Sequence, residues 1–278
     1  MLLSLEHVRA RYEHDKEKLD RIIELRNRAP EKYRQWTENL ANIGELFTYS
    51  YHAGIIEHFL GADEKKRVLD WGAGLGHMSY LLKDEYAVDA YNPVQDEYND
   101  YWHEQFQLKT RSFQSASGAE LPHKAESFDA VLSSGVLEHV FEFGLDEVTA
   151  LRQLHRVLKQ EGLLFIWHLP LVGALAEHNA MRKRTWRHIR RYELDEVLVM
   201  LSQSGFDVVA IERGELVFSK LHRLLGGVLG APRTWALDMA LCRLPVLSSL
   251  AHHFTIVARK VEGFPSEPAR GNYTAYIA

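Results

Sequence analysis

From residue 67 onward, short runs of Val, Leu, Ile and Phe alternate with segments of helix length. The clearest helical segment is 145–159, whose leucines recur at spacings of three and four and are followed by Gly162 as a stop signal. Alternation of this kind predicts a parallel sheet covered by helices on both faces. The predicted strands are Arg67–Trp71, Tyr86–Tyr91, Leu108–Phe113, Phe128–Ser133, Leu163–Trp167, Phe206–Glu212 and Phe254–Arg259.

The whole chain divides into three parts. Residues 1–60 carry two helical stripes separated by Pro30, which predicts an N-terminal helical cap. The sheet domain is predicted at 61–260, with an apolar insertion at 214–251 before the last strand. Residues 261–278 form a tail rich in Gly, Pro and Ser, for which we expect little order.

Composition narrows the classes of protein that the chain can belong to. A single cysteine cannot form an internal disulfide, so a reducing compartment and a cytoplasmic location are expected. A net charge of −5 gives no global field for nucleic acid, which we do not expect as a partner. The N-terminal apolar run is too short for a signal peptide, and the longest one, 163–176, is broken by His168, Pro170 and Gly173. No membrane insertion is expected, although peripheral contact through the insertion or the N-terminal helices stays open.

A glycine-rich loop follows the first predicted strand, in the sequence Val-Leu-Asp-Trp-Gly-Ala-Gly-Leu-Gly at 68–76. Glycines at every second position let the main chain approach a ligand, and the next helix offers free N–H groups. This pattern predicts a nucleoside-cofactor site. The dinucleotide pattern would place a third glycine where His77 stands, so a nicotinamide-dependent oxidoreductase is a weaker interpretation.

The loop resembles the first motif of the class I S-adenosylmethionine-dependent methyltransferases, V-L-D-x-G-x-G-x-G. Three later segments resemble that family in the same order: Ser-Phe-Asp-Ala-Val-Leu-Ser-Ser at 127–134, Val-Leu-Glu-His-Val at 136–140, and Leu-His-Arg-Val-Leu-Lys-Gln-Glu-Gly at 154–162. The resemblance spans roughly 61–213 and the final strand. It implies S-adenosylmethionine as the cofactor and a doubly wound, Rossmann-like α/β sheet of seven strands, mostly parallel with the last strand antiparallel.

The resemblance also implies which residues meet the cofactor. The wall beside its methionine half would be formed by Asp70, Gly72, Ala73, Gly74 and Gly76. Asp70 would order the loop or hold the cofactor's ammonium group. Ser134, at the end of the fourth strand, would lie near the same methionine end.

Two positions depart from the family pattern. Where the second strand usually ends in an acidic residue for the ribose, this chain has Asn92, whose amide can accept one hydrogen bond and donate another. A structural role for Asn92 in the Asn-Pro turn stays open. The aspartate usual near the adenine is missing, so backbone groups of Gly118 and Ala119 are expected to contact that base.

The candidate catalytic groups are histidines at the carboxyl ends of strands. His139 is the first candidate for a general base, and His168, after the fifth predicted strand, is the second. A structural role is open for His139. No spaced set of metal ligands is evident, so no metal is expected, and His252 and His253 are assigned to structure.

Residues 182–192 contain six Lys or Arg in eleven positions. Arg187, His188 and Arg191 are candidates for binding an anionic acceptor, and a solvated charged surface is the alternative.

The predicted activity is methyl transfer to a small-molecule acceptor, with oxygen favoured as the methylated atom. The segment Leu-Glu-His-Val at 137–140 resembles the branch that modifies quinones and sugars. Two alternatives remain, namely a lipid-linked acceptor at a membrane surface and a non-catalytic cofactor-binding protein.

Overall fold

The sheet lies at the centre of the molecule. A computed structural model describes residues 1–35, 37–61, 66–93, 96–108, 120–174 and 190–263. Six strands are present in these residues, where seven were predicted, and the third predicted strand lies from residue 109 onward outside the described part. The strands are β1 Arg67–Trp71, β2 Ala87–Tyr91, β3 Phe128–Ser134, β4 Leu158–Pro170, β5 Phe206–Gly214 and β6 His253–Lys260.

The strand order is β2-β1-β3-β4-β6-β5. The pairs β1–β2, β1–β3 and β3–β4 are parallel, whereas β6 runs antiparallel to both of its neighbours, β4 and β5. The predicted α/β class and antiparallel last strand are therefore confirmed. The ends of β1 to β5 and the start of β6 consequently lie along one edge of the sheet, which we call the carboxyl edge.

Helices cover both faces of the sheet, and the first three α-helices precede the first strand in the chain. Their bounds are α1 Leu5–Arg28, α2 Glu31–Arg34, α3 Ile43–Leu60, α4 His77–Leu82, α5 Glu97–Gln105, α6 Glu147–Val157, α7 Leu194–Gln203, α8 Phe218–Leu229, α9 Ala231–Leu241 and α10 Pro245–Ser248, with 3₁₀ helices at Glu38–Leu40 and Leu137–Phe143. The helical N-terminus predicted for 1–60 is present, but it is interrupted at Ala29–Pro30 and again before Ile43. The last three α-helices occupy the insertion predicted at 214–251.

Alternating side chains of the central strands enter two separate hydrophobic clusters. Val68, Leu132 and Phe165 pack with α1, α3 and α4 in one cluster. Leu69 and Val131 face the other cluster, which contains the apolar sides of α6 and α7. Alternation of this kind is expected of a sheet that is covered on both faces.

Helix α3 is buried nearly all round, because it lies between α1 and the sheet. Its start is capped by Asn42, whose side chain accepts a hydrogen bond from the backbone N–H of Glu45 at 3.3 Å. This position brings the residues of α3 to the carboxyl edge.

The predicted helix end at residue 159 is wrong. Helix α6 ends at Val157, and the chain continues directly into the long strand β4 from Leu158. Glu161 has a φ of 60°, and the register with β3 shifts between Phe128 and Ala130, so Gly162 belongs to an irregularity of the strand. A Cβ atom at Gly162 would lie 2.8 Å from the carbonyl oxygen of Lys159.

None of the helices in the described ranges combines the length and the apolar character that crossing a bilayer requires.

Candidate functional site

The loop between β1 and α4 turns on three glycines in left-handed conformations. Gly72, Gly74 and Gly76 have φ values of 72°, 51° and 79°. The backbone N–H groups of Gly72 and Ala73 both donate to the carbonyl oxygen of Tyr91, at 2.9 and 3.0 Å. These bonds tie the loop to the end of β2. The loop conformation therefore requires glycine and is fixed by the neighbouring strand.

Two side chains hold the middle of this loop. The N–H of Gly74 donates to Oδ1 of Asn92 at 2.8 Å, and Nδ2 of Asn92 donates back to the Gly74 carbonyl oxygen at 3.2 Å. The Nε2 atom of His103 lies 2.7 Å from the same carbonyl oxygen. The structural role left open for Asn92 is therefore present. Each atom of its amide retains further bonding capacity that a ribose hydroxyl can use.

The three glycines differ in what surrounds them. A Cβ atom added at Gly72 would lie 2.6 Å from Cγ2 of Val136, and one at Gly76 would lie 2.4 Å from Cδ1 of Leu108. At Gly74 the nearest described neighbour of such an atom is the Gly72 carbonyl oxygen, 3.9 Å away. Gly72 and Gly76 thus lack side chains because the protein itself fills the space, whereas the described residues leave room at Gly74 that a ligand can enter.

Asp70 is buried below the loop. Its Oδ2 accepts a hydrogen bond from Oγ of Ser79 at 2.6 Å, which ties the end of β1 to α4. Burial raises the pKa of Asp70 to about 6, although the bonds from Ser79 lower it. Of the two roles expected for Asp70, ordering the loop is the one these contacts support.

Asp89 also lies on β2, but its side chain faces away from the loop. Its Oδ2 lies 3.5 Å from Nε2 of His123. This arrangement agrees with the choice of Asn92 as the strand-end residue beside the loop.

Several predicted contacts fall outside the described residues. Gly118, Ala119, Arg187 and His188 are among them. In the described part of the basic segment, Arg190 forms ion pairs with Glu147 at 2.6 Å and Glu196 at 2.5 Å, and it lies over the ring of Tyr192. Arg190 therefore holds α6 and α7 together. Arg191 is half-buried, and its proposed contact with an acceptor stays a prediction.

His139 lies in the 3₁₀ helix that follows β3. Its side chain is 35% exposed, and Nδ1 lies 2.7 Å from Oε1 of Glu142. The preceding residue, Glu138, points inward and is buried. Burial raises the pKa of Glu138 to about 7. A buried carboxyl group with this pKa, whose Oε1 lies beside Gly135 at the end of β3, was not foreseen, because the motif drew attention to its histidine.

The second histidine candidate is part of a cluster. His168 has its Nδ1 atom 3.3 Å from Oγ of Ser134 and its Nε2 atom 3.4 Å from Oε1 of Glu215. On the other side of the carboxylate, Oε2 of Glu215 lies 3.4 Å from Nδ1 of His253. We call His168, Glu215 and His253 the His–Glu trio. The structure thus brings two predicted residues, Ser134 and His168, together with two that were not predicted.

A sequence model of the family described as "Methyltransferase domain" matches residues 69–166, from β1 to β4. The match contains the glycine loop and the 3₁₀ helix of His139. Residues 69–166 therefore match a methyltransferase domain. The cofactor of this family is S-adenosylmethionine.

A relative with a similar sequence covers more of the chain than the matched domain does. An uncharacterized protein from Methanocaldococcus jannaschii is 30% identical over 139 residues, which make up 49% of this chain and 55% of that protein. The matched stretch therefore spans only about half of that relative's length.

Two solved structures share the fold. The Burkholderia thailandensis 1,6-didemethyltoxoflavin-N1-methyltransferase, with bound 1,6-didemethyltoxoflavin and S-adenosylhomocysteine, has a TM-score of 0.50 and 19% identity over 90% of each chain. The [4+2]-cyclase SpnF has a TM-score of 0.52 and 18% identity over 77% of this chain and 81% of its own. At these identities the likeness shows the fold alone.

Tyr49 connects the glycine loop of the methyltransferase domain to the His–Glu trio. Its ring contacts His77, the first residue of α4, at a centroid distance of 4.2 Å and His168 at 5.4 Å. Burial and the other histidines lower the pKa of His77 to about 3, so the ring is neutral. Neither ring nitrogen of His77 has a hydrogen-bond partner among the described residues.

Sequence reasoning missed Tyr49, and the reason is the burial of α3. Apolar periodicity identifies one face of a helix, but this helix is buried on most sides. Tyr49 therefore did not stand out from its neighbours in the stripe.

Proposed function

We propose that the methyltransferase domain transfers the methyl group of S-adenosylmethionine to an oxygen atom of a small-molecule acceptor. The observation that carries this proposal is the space that the described residues leave at Gly74, within a glycine loop that they otherwise fill. When bound, S-adenosylmethionine supplies a methyl group that is already activated on a sulfonium centre. The chain then has to bind both molecules, align them and remove a proton.

The residues of the loop fit this cofactor. The main chain at Gly74 is accessible and its conformation is held by Asn92 and His103. In this proposal Gly72, Ala73, Gly74 and Gly76 meet the methionine half of the cofactor, Asn92 meets its ribose, and Ser134 lies near the reacting end.

His139 is the proposed general base. The carboxylate of Glu142 lies within hydrogen-bond distance of Nδ1 of His139. Such a contact fixes the orientation of the imidazole ring and leaves its other nitrogen, Nε2, able to accept a proton. The proton of the acceptor hydroxyl would move to Nε2 of His139 as the oxygen takes the methyl group. General-base catalysis typically contributes a factor of about 10²–10⁴ in rate.

The first test is calorimetry of the full chain with S-adenosylmethionine and S-adenosylhomocysteine. Binding of both supports the proposal, whereas binding of neither rejects it, and tight NAD binding instead would favour an oxidoreductase. The second test incubates the protein with cell extract and isotopically labelled methyl donor, followed by mass spectrometry of labelled metabolites.

The variant His139→Gln should reduce labelling at least about 100-fold. The matched control is His14→Gln, which alters another exposed histidine paired with a glutamate. Normal labelling by His139→Gln would remove His139 from the mechanism. Cofactor binding without labelling of any extract would favour a non-catalytic cofactor-binding protein.

A second candidate is a lipid-linked acceptor at a membrane surface. Helix α8 exposes Leu224 and Val228, which are 77% and 84% accessible, on the same side as Lys220. A helix with exposed apolar and basic residues on one face is suited to the interface of an anionic bilayer. Leu224→Ser with Val228→Ser should abolish sedimentation with anionic phosphatidylserine vesicles, whereas Val199→Ser on α7 should not. Absence of sedimentation by the unchanged protein would reject this candidate.

A further inference from the structure

The His–Glu trio assembles side chains from three separate strand ends. His168 is near the end of β4, Glu215 follows β5, and His253 begins β6. One ligand atom from each of the three lies within 4.8 Å of the other two. We propose that these residues form a binding site for a single Zn²⁺ ion.

The separations within the trio suit metal ligands better than hydrogen-bond partners. Each imidazole nitrogen lies 3.4 Å from an oxygen of Glu215, which is longer than an ordinary hydrogen bond of about 2.9 Å. Zinc holds nitrogen and oxygen ligands at about 2.1 Å, and two such ligands at a tetrahedral angle are about 3.4 Å apart. Two histidines and a glutamate with an open fourth position are a common zinc ligand set.

Outer contacts orient two of the three ligands. Oγ of Ser134 lies 3.3 Å from Nδ1 of His168, which turns Nε2 toward Glu215. The hydroxyl of Thr48 donates to Oε1 of Glu215 at 2.5 Å. Metal sites depend on such outer contacts to fix the rotamer and the tautomer of their ligands.

The backbone at two of these residues is in a strained conformation. His168 and Glu215 have φ values of 57° and 63°, in the left-handed region that L-residues other than glycine rarely adopt. Strain of this kind is concentrated at functional sites, where the surrounding structure holds a side chain in a particular direction. Two of the five non-glycine residues with positive φ in the described part of the chain therefore belong to the trio.

The trio is partly buried but can be reached by an ion. The side chains of His168, Glu215 and His253 are 16%, 21% and 13% exposed. A void of about 10 Å³, the space of about one water or one ion, borders all three. Glu215 and Thr48 also line a pocket of about 170 Å³.

A second group of histidine and carboxylates in the described ranges provides a contrast. It consists of His14, Asp15 and Glu85. In that group Asp15 and Glu85 already bind the guanidinium of Arg11, at 2.8 and 2.6 Å. An arginine thus supplies the positive charge there, whereas the trio is arranged around the void.

The zinc site is tested with the full chain after removal of metal by a chelator. Calorimetric titration with ZnCl₂ should give one site, and Glu215→Gln, which keeps the shape of the side chain, should weaken it at least about 100-fold. The Ser134→Ala variant, which removes only an outer contact of His168, should weaken zinc binding by about 10–100-fold. The loss of affinity in Glu215→Gln should be larger than that in Ser134→Ala. His14→Gln is the matched control and should bind zinc as the unchanged chain does.

A further measurement does not depend on the folding of a variant. Crystals of the unchanged chain grown with zinc should show an anomalous peak at the zinc edge between the three side chains. A peak elsewhere, absence of binding, or equal affinity of the Glu215→Gln variant would each overturn the site.

The zinc site can fail without the proposed function failing, because cofactor binding is measured on the metal-free chain. With S-adenosylhomocysteine bound and no zinc bound, the methyltransferase proposal stands and the zinc proposal falls. If both bind, both proposals stand.

Discussion

The glycine loop and the His–Glu trio lie on the same edge of the sheet but are assembled from very different lengths of chain. The loop is one continuous segment, and the side chains that hold it, Asn92 and His103, are 18 and 29 residues from Gly74. Thr48 and Glu215 in the region of the trio are 167 residues apart. A local motif can identify the first region, whereas only the folded sheet brings the second together. The two regions should therefore respond differently to substitution, one through the cofactor and the other through stability.

The largest effect is expected from filling the open side of the loop. Gly74→Val should weaken binding of S-adenosylhomocysteine at least about 1,000-fold, about 4 kcal/mol, because the added side chain occupies the space proposed for the ligand. Calorimetry measures this loss.

The control for this substitution is Gly144→Val. Gly144 also has a positive φ, 73°, and no described atom lies within 4 Å of an added Cβ. The Gly144→Val substitution therefore introduces similar backbone strain away from the glycine loop, and it should leave the affinity for S-adenosylhomocysteine unchanged. Unaltered affinity in Gly74→Val would show that the ligand lies elsewhere.

The next effect concerns the buried carboxyl group below the loop. The pKa of Asp70 is about 6 in the folded chain and near 3.8 when unfolded, so the folded state binds more protons between these values. The free energy of unfolding therefore falls as pH rises through this window, by an amount on the order of 1–3 kcal/mol. Asp70→Asn should remove that fall, as measured by urea unfolding at pH 4 and pH 7.

Asp129 provides a control of opposite sign. The bond from Lys159 contributes to a pKa of Asp129 below its ordinary value, even though its partial burial acts to raise it. Its ionised form adds stability that is present above the unfolded pKa and is lost as pH falls through the folded one. Asp129→Asn should therefore cost more stability at pH 7 than at pH 4. The same pH dependence in both variants would contradict the assignment of Asp70.

In the region of the trio, the expected effect is on stability. Thr48→Val keeps the shape of the side chain but removes the hydroxyl that donates to ionised Glu215. Hydrogen bonds to charged groups contribute about 1.5–3 kcal/mol, so the free energy of unfolding should fall by about 2 kcal/mol at pH 7. Affinity for S-adenosylhomocysteine in metal-free buffer should remain within about twofold.

The control here is Thr149→Val, which removes an exposed hydroxyl that donates to Asp146 at 2.7 Å. Its cost should be smaller because water replaces the lost bond. If Thr48→Val reduced cofactor affinity as strongly as Gly74→Val does, the separation of the two regions would be wrong.

The contrast also explains how much could be predicted from the sequence. The strand–loop–helix unit at Arg67–Leu82 was predictable because hydrophobic patterning and glycine spacing act within a few residues. The trio was not predictable, and His253 was assigned to structure, because nothing near it along the chain indicates that it faces Glu215. The open space at Gly74 was expected, but Val136 and Leu108 as the reasons for Gly72 and Gly76 required the packed fold.

The smallest effect separates the two roles of Asn92. In Asn92→Asp a carboxylate oxygen can still accept from the Gly74 N–H, but the donor from residue 92 to the Gly74 carbonyl is lost. That carbonyl keeps only Nε2 of His103, at 2.7 Å, and now lies 3.2 Å from a charged oxygen. The free energy of unfolding should fall by about 1 kcal/mol. If the side chain also meets the ribose, the charged acceptor should strengthen that contact and raise cofactor affinity about fivefold, about 1 kcal/mol. Stability and affinity would then change in opposite directions. A parallel fall of both would mean that Asn92 acts only on the loop, because weakening the support of Gly74 lowers both quantities together.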